Sequence, residues 1–163
     1  MTMLLISQCL LGYRCRYDSS ASSDMRERLS RLGYSEQDLL AVCPETLGGL
    51  PTPRFPAEVI TIQGKRVVIN KAGQDVTQAF RDGANQTLQL AQKYQVRTAL
   101  LKSKSPSCGV HAIYDGHFHG VLKSEPGLTA EKLVAAGIHV LDETEIDQLP
   151  PNKECSTSST EKR

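Results

Sequence analysis

The chain has 163 residues, 19 Lys plus Arg against 18 Asp plus Glu, and a net charge of +1. That length suits one compact domain whose core needs no covalent staples, and the balanced charge excludes the basic field that a duplex nucleic-acid partner requires. Three Phe, five Tyr and no Trp advertise no single-strand stacking platform, and no apolar run is long enough to cross a bilayer.

The opening MTMLLISQCLLGYR is apolar but carries no basic residue before Arg14, so it reads as a buried strand over Met3 to Ile6 rather than a secretion signal. In SDMRERLSRLG, Ser23 or Asp24 caps a helix with Met25, Leu29 and Leu32 at helical spacing, and Gly33 stops it. Leu39 to Val42 is a second strand. The four prolines and two glycines of CPETLGGLPTPRFPAE then predict a long loop without regular structure. EVITIQGKRVVIN reads as a hairpin turning at Gln63 to Lys65. A helix runs from Asp75 or Val76 to Tyr94, with Val76, Phe80, Ala84, Leu88 and Ala91 on one face. Thr98 to Leu101 is a third strand, followed by the loop KSKSPSCGV. HAIYDGHFHGVL suggests a second hairpin turning at Asp115-Gly116. Thr129 caps a helix that ends at Gly137, Ile138 to Leu141 is a fourth strand, and Glu143 to Leu149 a last short helix. The expected organisation is one α/β domain over residues 1–149 and a polar tail over 150–163.

Strands that alternate with helices imply a mainly parallel sheet, with two hairpins inserted. Ligands of such sheets bind beyond the carboxyl ends of the strands. Cys9 lies just past the first strand, Cys43 immediately past the second, and Cys108 in the loop leaving the third. Parallel strands bring all three thiols to one edge, as a three-pronged soft-ligand site for zinc, copper(I) or an iron–sulfur cluster. The expected setting is a reducing cytoplasm, where cysteines serve metal or chemistry rather than disulfides. A fourth thiol, Cys15, either closes the site, making it a structural or sensing centre, or stays out and leaves a metal position open to substrate. Each cysteine taken alone reads equally well as a small buried hydrophobe. Cys155, in the tail, is incidental.

Near such a centre Glu45 is a candidate general acid or base. Ser105 and Ser107 can cap backbone amides or hydrogen-bond sulfur or substrate, and Arg16, Arg54, Lys102 and Lys104 can balance a negative cluster or receive a phosphate. A cysteine hydrolase using Cys43 or Cys108 ranks last, because no histidine is placed as its base.

The motifs CLLGYRCRYD, VCPETLGGLPTPRFPAE, NKAGQDVT and LKSKSPSCG, in that order, resemble the thiouracil desulfidase family over roughly residues 3–149. The resemblance implies a Rossmann-like α/β fold and a [4Fe–4S] cluster on Cys9, Cys43 and Cys108. It implies removal of sulfur from thiouracil or 4-thio-UMP, a small thiolated pyrimidine base or nucleotide, with Glu45 and Ser105 catalytic and Arg16, Arg54, Lys102 and Ser107 binding substrate. Relatives often carry an apolar residue where Cys15 stands, which argues against it as a ligand. The chain departs from the family at Ser19, Ser20 and Phe55, in loops expected to line the pocket and tune substrate choice.

Overall fold

The computed structural model describes residues 3–20 and 24–152. Four short apolar runs form one parallel sheet: β1 Leu4–Ser7, β2 Leu39–Val42, β5 Thr98–Leu101 and β8 His139–Asp142, in the order β2-β1-β5-β8. Leu4 pairs with Leu39 on one side and with Thr98 on the other, and Leu100 pairs with Leu141. The expected sheet is therefore present, with the first and last strands displaced by one residue.

Both faces of the sheet are covered, because side chains alternate across it. Leu4, Ile6, Leu100 and Leu141 meet Met25 and Leu29, around helix α1 (Arg26–Arg31), together with Ile146 and Leu149 near the chain's end. On the opposite face Leu5, Ala99, Leu101 and Val140 meet Ala91 of α3 (Thr77–Lys93) and Leu133 of α4 (Leu128–Ala135). The predicted face of α3 is the buried one, with Phe80, Ala84 and Ala91 nearly inaccessible. Asp24 accepts the Arg26 backbone N–H at 3.0 Å at the start of α1, while Ser23, the other candidate cap, lies outside the described residues. The tail from residue 153 also lies outside them.

The first hairpin, β3 (Ala57–Ile62) and β4 (Lys65–Asn70), turns at Gln63-Gly64 as expected. The second departs from expectation. Its strands β6 (Ile113–Tyr114) and β7 (Leu122–Lys123) have two residues each, so Asp115-Gly116 opens a longer connection that closes where the Asp115 N–H bonds the Val121 carbonyl at 2.9 Å. Thr129 does not cap α4. Gly127 occupies that position, and the Thr129 hydroxyl is buried against Ser107 at 2.7 Å.

The proline-rich segment is not wholly irregular either. Pro44–Leu47 forms a one-turn helix, α2, with Pro44 in its first turn, where a missing N–H costs nothing. Helix α2 lies backbone to backbone on α3. A Cβ on Gly48 would fall 1.9 Å from the Ala79 carbonyl oxygen, and one on Gly83 would fall 1.9 Å from the Pro44 carbonyl oxygen. Only glycine permits this approach, which fixes the segment carrying Cys43 and Glu45. Gly83→Ala is therefore expected to lower stability by about 2 kcal/mol or more, in the range of overpacked cores. Urea denaturation measures it, and a melt indistinguishable from wild type contradicts the close packing.

Candidate functional site: a thiol-lined cavity at the carboxyl edge of the sheet

The loops leaving β1, β2 and β5 come together because their strands are neighbours and run the same way. Cys9 sits in a 3-10 turn, Gln8–Leu11, directly after β1; Cys43 separates β2 from α2; Cys108 follows β5. All three are buried, at 6, 8 and 5 % exposure, and all three line one cavity of about 500 Å³. Ser105 shapes the third loop: its Oγ accepts the N–H groups of Ser107 and Cys108 at 3.1 and 2.9 Å, turning Cys108 back towards the cavity. The backbone N–H of Lys102 reaches across to Ser7 Oγ at 3.0 Å and ties the β5 loop to the end of β1.

Cys15 joins the cavity wall, hydrogen-bonded to the thiols of Cys43 and Cys9. These bonds, then burial, push its thiol far above the ordinary value. Cys43 is shifted the other way, held down by the Cys15 hydrogen bond against burial, with help from Thr46 and the Arg54 guanidinium. Burial drives Cys108 up, opposed by a hydrogen bond with Ser7. Crowded sulfurs whose charges oppose one another form a donor set that an electropositive centre would relieve. Among the described residues no three of these thiols lie within 4.8 Å of one another; the group meeting that spacing is His111, Asp142 and Glu145. There the Asp142 and Glu145 carboxylates cap a turn, accepting the N–H groups of Thr144 and Asp142. A single tetrahedral ion with bonds of about 2.3 Å needs sulfurs about 3.8 Å apart. As soft donors gathered on one cavity wall, the thiols have the chemistry that holds an iron–sulfur centre.

Beside the thiols, Glu45 points into the cavity wall with its side chain 16 % exposed, and its Oε1 accepts Arg54 Nε at 2.9 Å. Burial raises its pKa, opposed by the charge and hydrogen bond of Arg54. Arg54 lines the cavity, but its guanidinium is spent inside the protein: Nη1 donates to the Pro51 carbonyl and Thr52 Oγ1, and Nη2 to the Cys15 carbonyl at 2.9 Å. Lys102 is likewise engaged, by Glu143 Oε2 at 3.0 Å. Burial disfavours the Glu143 carboxylate, but hydrogen bonds from the Ser103 N–H and hydroxyl and from Lys102 outweigh it and hold its pKa down. Ser107 lies away from the cavity. It is fully buried and bonded to Thr129, because the turn capped by Ser105 directs it into the α4 packing. Arg16 and Lys104 line the cavity and enter no salt bridge among the described residues. All the histidines among the described residues stand outside it, so no histidine is placed there as the base of a cysteine nucleophile.

Sequence reasoning missed the wall supplied by the two hairpins. Lys71, Glu58, Tyr114 and Phe118 all line the cavity. Lys71 is carried there by a turn that the buried Asn70 builds, its Oδ1 accepting the N–H groups of Ala72 and Gln74 at 3.0 and 2.9 Å. The motif NKAGQDVT was the available signal, since Asn-Lys-Ala-Gly is a side-chain-stabilised turn with its lysine at the tip.

The chain is similar to known proteins over nearly its whole described length. The chain is 42 % identical to a solved structure described as a [4Fe–4S]-dependent thiouracil desulfidase, TudS, with a TM-score of 0.83 over 91 % of this chain and 95 % of the other. It is 37 % identical to an uncharacterized protein, YbbK, of Bacillus subtilis (strain 168), over 90 % of this chain and 99 % of that one. The family model for 2-thiouracil desulfurase matches residues 4–145, a span holding the four cavity thiols and Glu45, and the chain belongs to that family.

Proposed function

We propose that this protein is a [4Fe–4S]-dependent desulfidase that hydrolyses the thione of a thiolated uracil, with 4-thio-UMP and 4-thiouracil as substrates, to the oxo compound and sulfide. The observation that carries the reading is the cavity itself: three buried cysteines in the loops after three neighbouring strands, with the mostly enclosed carboxylate of Glu45 beside them. Cys9, Cys43 and Cys108 hold the cluster, and Cys15 stays outside its ligand set. When bound, the cluster supplies a soft Lewis-acidic iron suited to sulfur.

The net change is hydrolytic: the C=S bond and water become C=O and hydrogen sulfide, with no electron transferred. The chain's own groups handle the water and the ring. Arg54 fixes one oxygen of Glu45, and the other takes a proton from the attacking water. Ser105 already accepts two N–H groups, so its own hydroxyl proton is left to donate towards the ring or the water. The proline-bounded loop around Arg54 keeps this carboxylate out of bulk solvent, where its proton affinity would drop.

The cavity mouth favours a nucleotide. Arg54 and Lys102 are neutralised by Glu45 and Glu143, whereas Arg16, Lys71 and Lys104 line the cavity outside any salt bridge among the described residues. A phosphate satisfies such cations with charge-assisted bonds. Steady-state kinetics on reconstituted protein test this. Replacing Lys71 and Lys104 together by alanine is expected to lower kcat/KM for 4-thio-UMP by about 10- to 100-fold. The value for 4-thiouracil should stay within about threefold, well under one such bond. Equal losses on both substrates would remove the phosphate assignment.

A further inference from the structure

We propose that Phe118 is the surface on which the substrate's pyrimidine ring stacks, and that the buried carboxylate of Glu58 holds it in place. The proposal rests on the desulfidase reading for the identity of the ring, and on its own geometry for the residue. Phe118 lies in the connection between β6 and β7, which closes one side of the cavity. Its neighbours His117 and His119 are exposed, while Phe118 is half-buried and lines the cavity with Tyr114.

The backbone there is costly to form. Phe118 has φ +59°, a left-handed conformation that is unusual for a bulky aromatic residue, although glycines at 116 and 120 adopt positive φ nearby at no such cost. Residues held this way persist only where their surroundings over-determine them, and they cluster at ligand clamps. The over-determining group is Glu58 on β3. It is 9 % exposed, and its Oε1 accepts the N–H of Gly116 and the N–H of Phe118, each at 3.0 Å. A second tie, from the His117 N–H to Asp115 Oδ1 at 3.0 Å, and the Asp115–Val121 backbone bond complete the frame. Gly116 seats the frame on the first hairpin, since a Cβ there would meet Ile60 Cβ at 2.6 Å.

The ring of Phe118 offers a face and no donor or acceptor. It suits the flat apolar face of a pyrimidine whose polar edge is read by Ser105 and Glu45. Such a face accepts base and nucleotide alike, because it does not touch the sugar or phosphate. Phe118 is thus a binding residue, and Glu58, acting through it, a positioning residue.

Uracil binding to the reconstituted holoenzyme, measured by calorimetry, tests the proposal, with sulfide release from 4-thiouracil followed in parallel. Phe118→Ala should weaken uracil binding by about 5- to 150-fold, with the cluster absorbance unchanged. Phe118→Tyr should bind like wild type, and Phe118→Leu should be weakened like the alanine variant, because stacking and not mere apolar burial is at issue. Glu58→Ala should weaken uracil in the same direction and raise KM more than it lowers kcat, and Glu58→Gln, which keeps the carbonyl acceptor, should restore both. Wild-type uracil affinity in Phe118→Ala or in Phe118→Leu overturns the proposal, as does a wild-type holoenzyme that does not bind uracil. A holoenzyme that binds uracil through Phe118 and releases no sulfide upholds the stacking site and overturns the desulfidase reading instead.

Discussion

Replacing Cys9, Cys43 or Cys108 by serine is expected to abolish iron and labile sulfide after anaerobic reconstitution, together with the brown colour and all turnover. The same change at Cys15 is expected to leave all of them in place. The four thiols line one cavity, so the contrast does not come from distance alone. It comes from burial and from the strands they follow: the three proposed ligands follow three different neighbouring strands at 5 to 8 % exposure, whereas Cys15 shares the connection after β1 with Cys9. Cys15 is only half-buried and follows the 3-10 turn by several residues. Serine is a hard, poorly ionised donor and does not replace a thiolate at a soft centre. Elemental analysis and the visible spectrum report the outcome, with circular dichroism of the metal-free chains showing that each variant folds. Loss of iron in Cys15→Ser would establish a site closed by four thiolates. One zinc per chain and no labile sulfide in the wild type would make it a structural or sensing centre.

Glu45→Gln should retain the cluster and lower kcat by about 10²- to 10⁴-fold, the usual contribution of a positioned acid or base. Glutamine keeps the volume and still accepts the Arg54 N–H, so the wall of the cavity is preserved and only the proton acceptor is lost. The single-turnover rate with 4-thio-UMP is the informative measurement, because it is free of product release. Arg54→Lys should lie between wild type and Glu45→Gln, since lysine keeps a charge near Glu45 but cannot also hold the Pro51 and Cys15 carbonyls. If Glu45→Gln turns over at the wild-type rate, the water is activated by another group, and the buried ion pair with Arg54 is structural.

The sheet and its carboxyl edge were legible because their signals are local. Leu4–Ser7, Leu39–Val42 and Thr98–Leu101 are short apolar runs bounded by polar or turn residues, and once they are parallel the three cysteines must share an edge. Helix α3 was legible for the same reason, from one apolar face over four turns. What was not legible depends on contacts between segments. Ser105 and Ser107 look equivalent in KSPSC, and only the packing of α4 turns one inward to Thr129. Arg54 looked like a free cation, and the fold spends its guanidinium on Glu45 and three backbone or hydroxyl oxygens. The one-turn helix at Pro44 was hidden by reading prolines as breakers, although the first turn tolerates them. Phe118 and Glu58 were invisible, because Glu58 takes the N–H groups of Gly116 and Phe118 across about sixty residues of chain, a pairing that no periodicity encodes.

The arrangement of strands β2, β1 and β5 also bears on how the protein matures. The chain must be made through Cys108 before the third thiol exists, and no short excised peptide carries more than part of the set. The three thiols are gathered by the sheet and not by one short loop, so cluster loading is expected to depend on that sheet being formed. A cluster held by those three thiols would bind the native chain and not the unfolded one, so iron starvation is expected to lower resistance to heat and proteolysis.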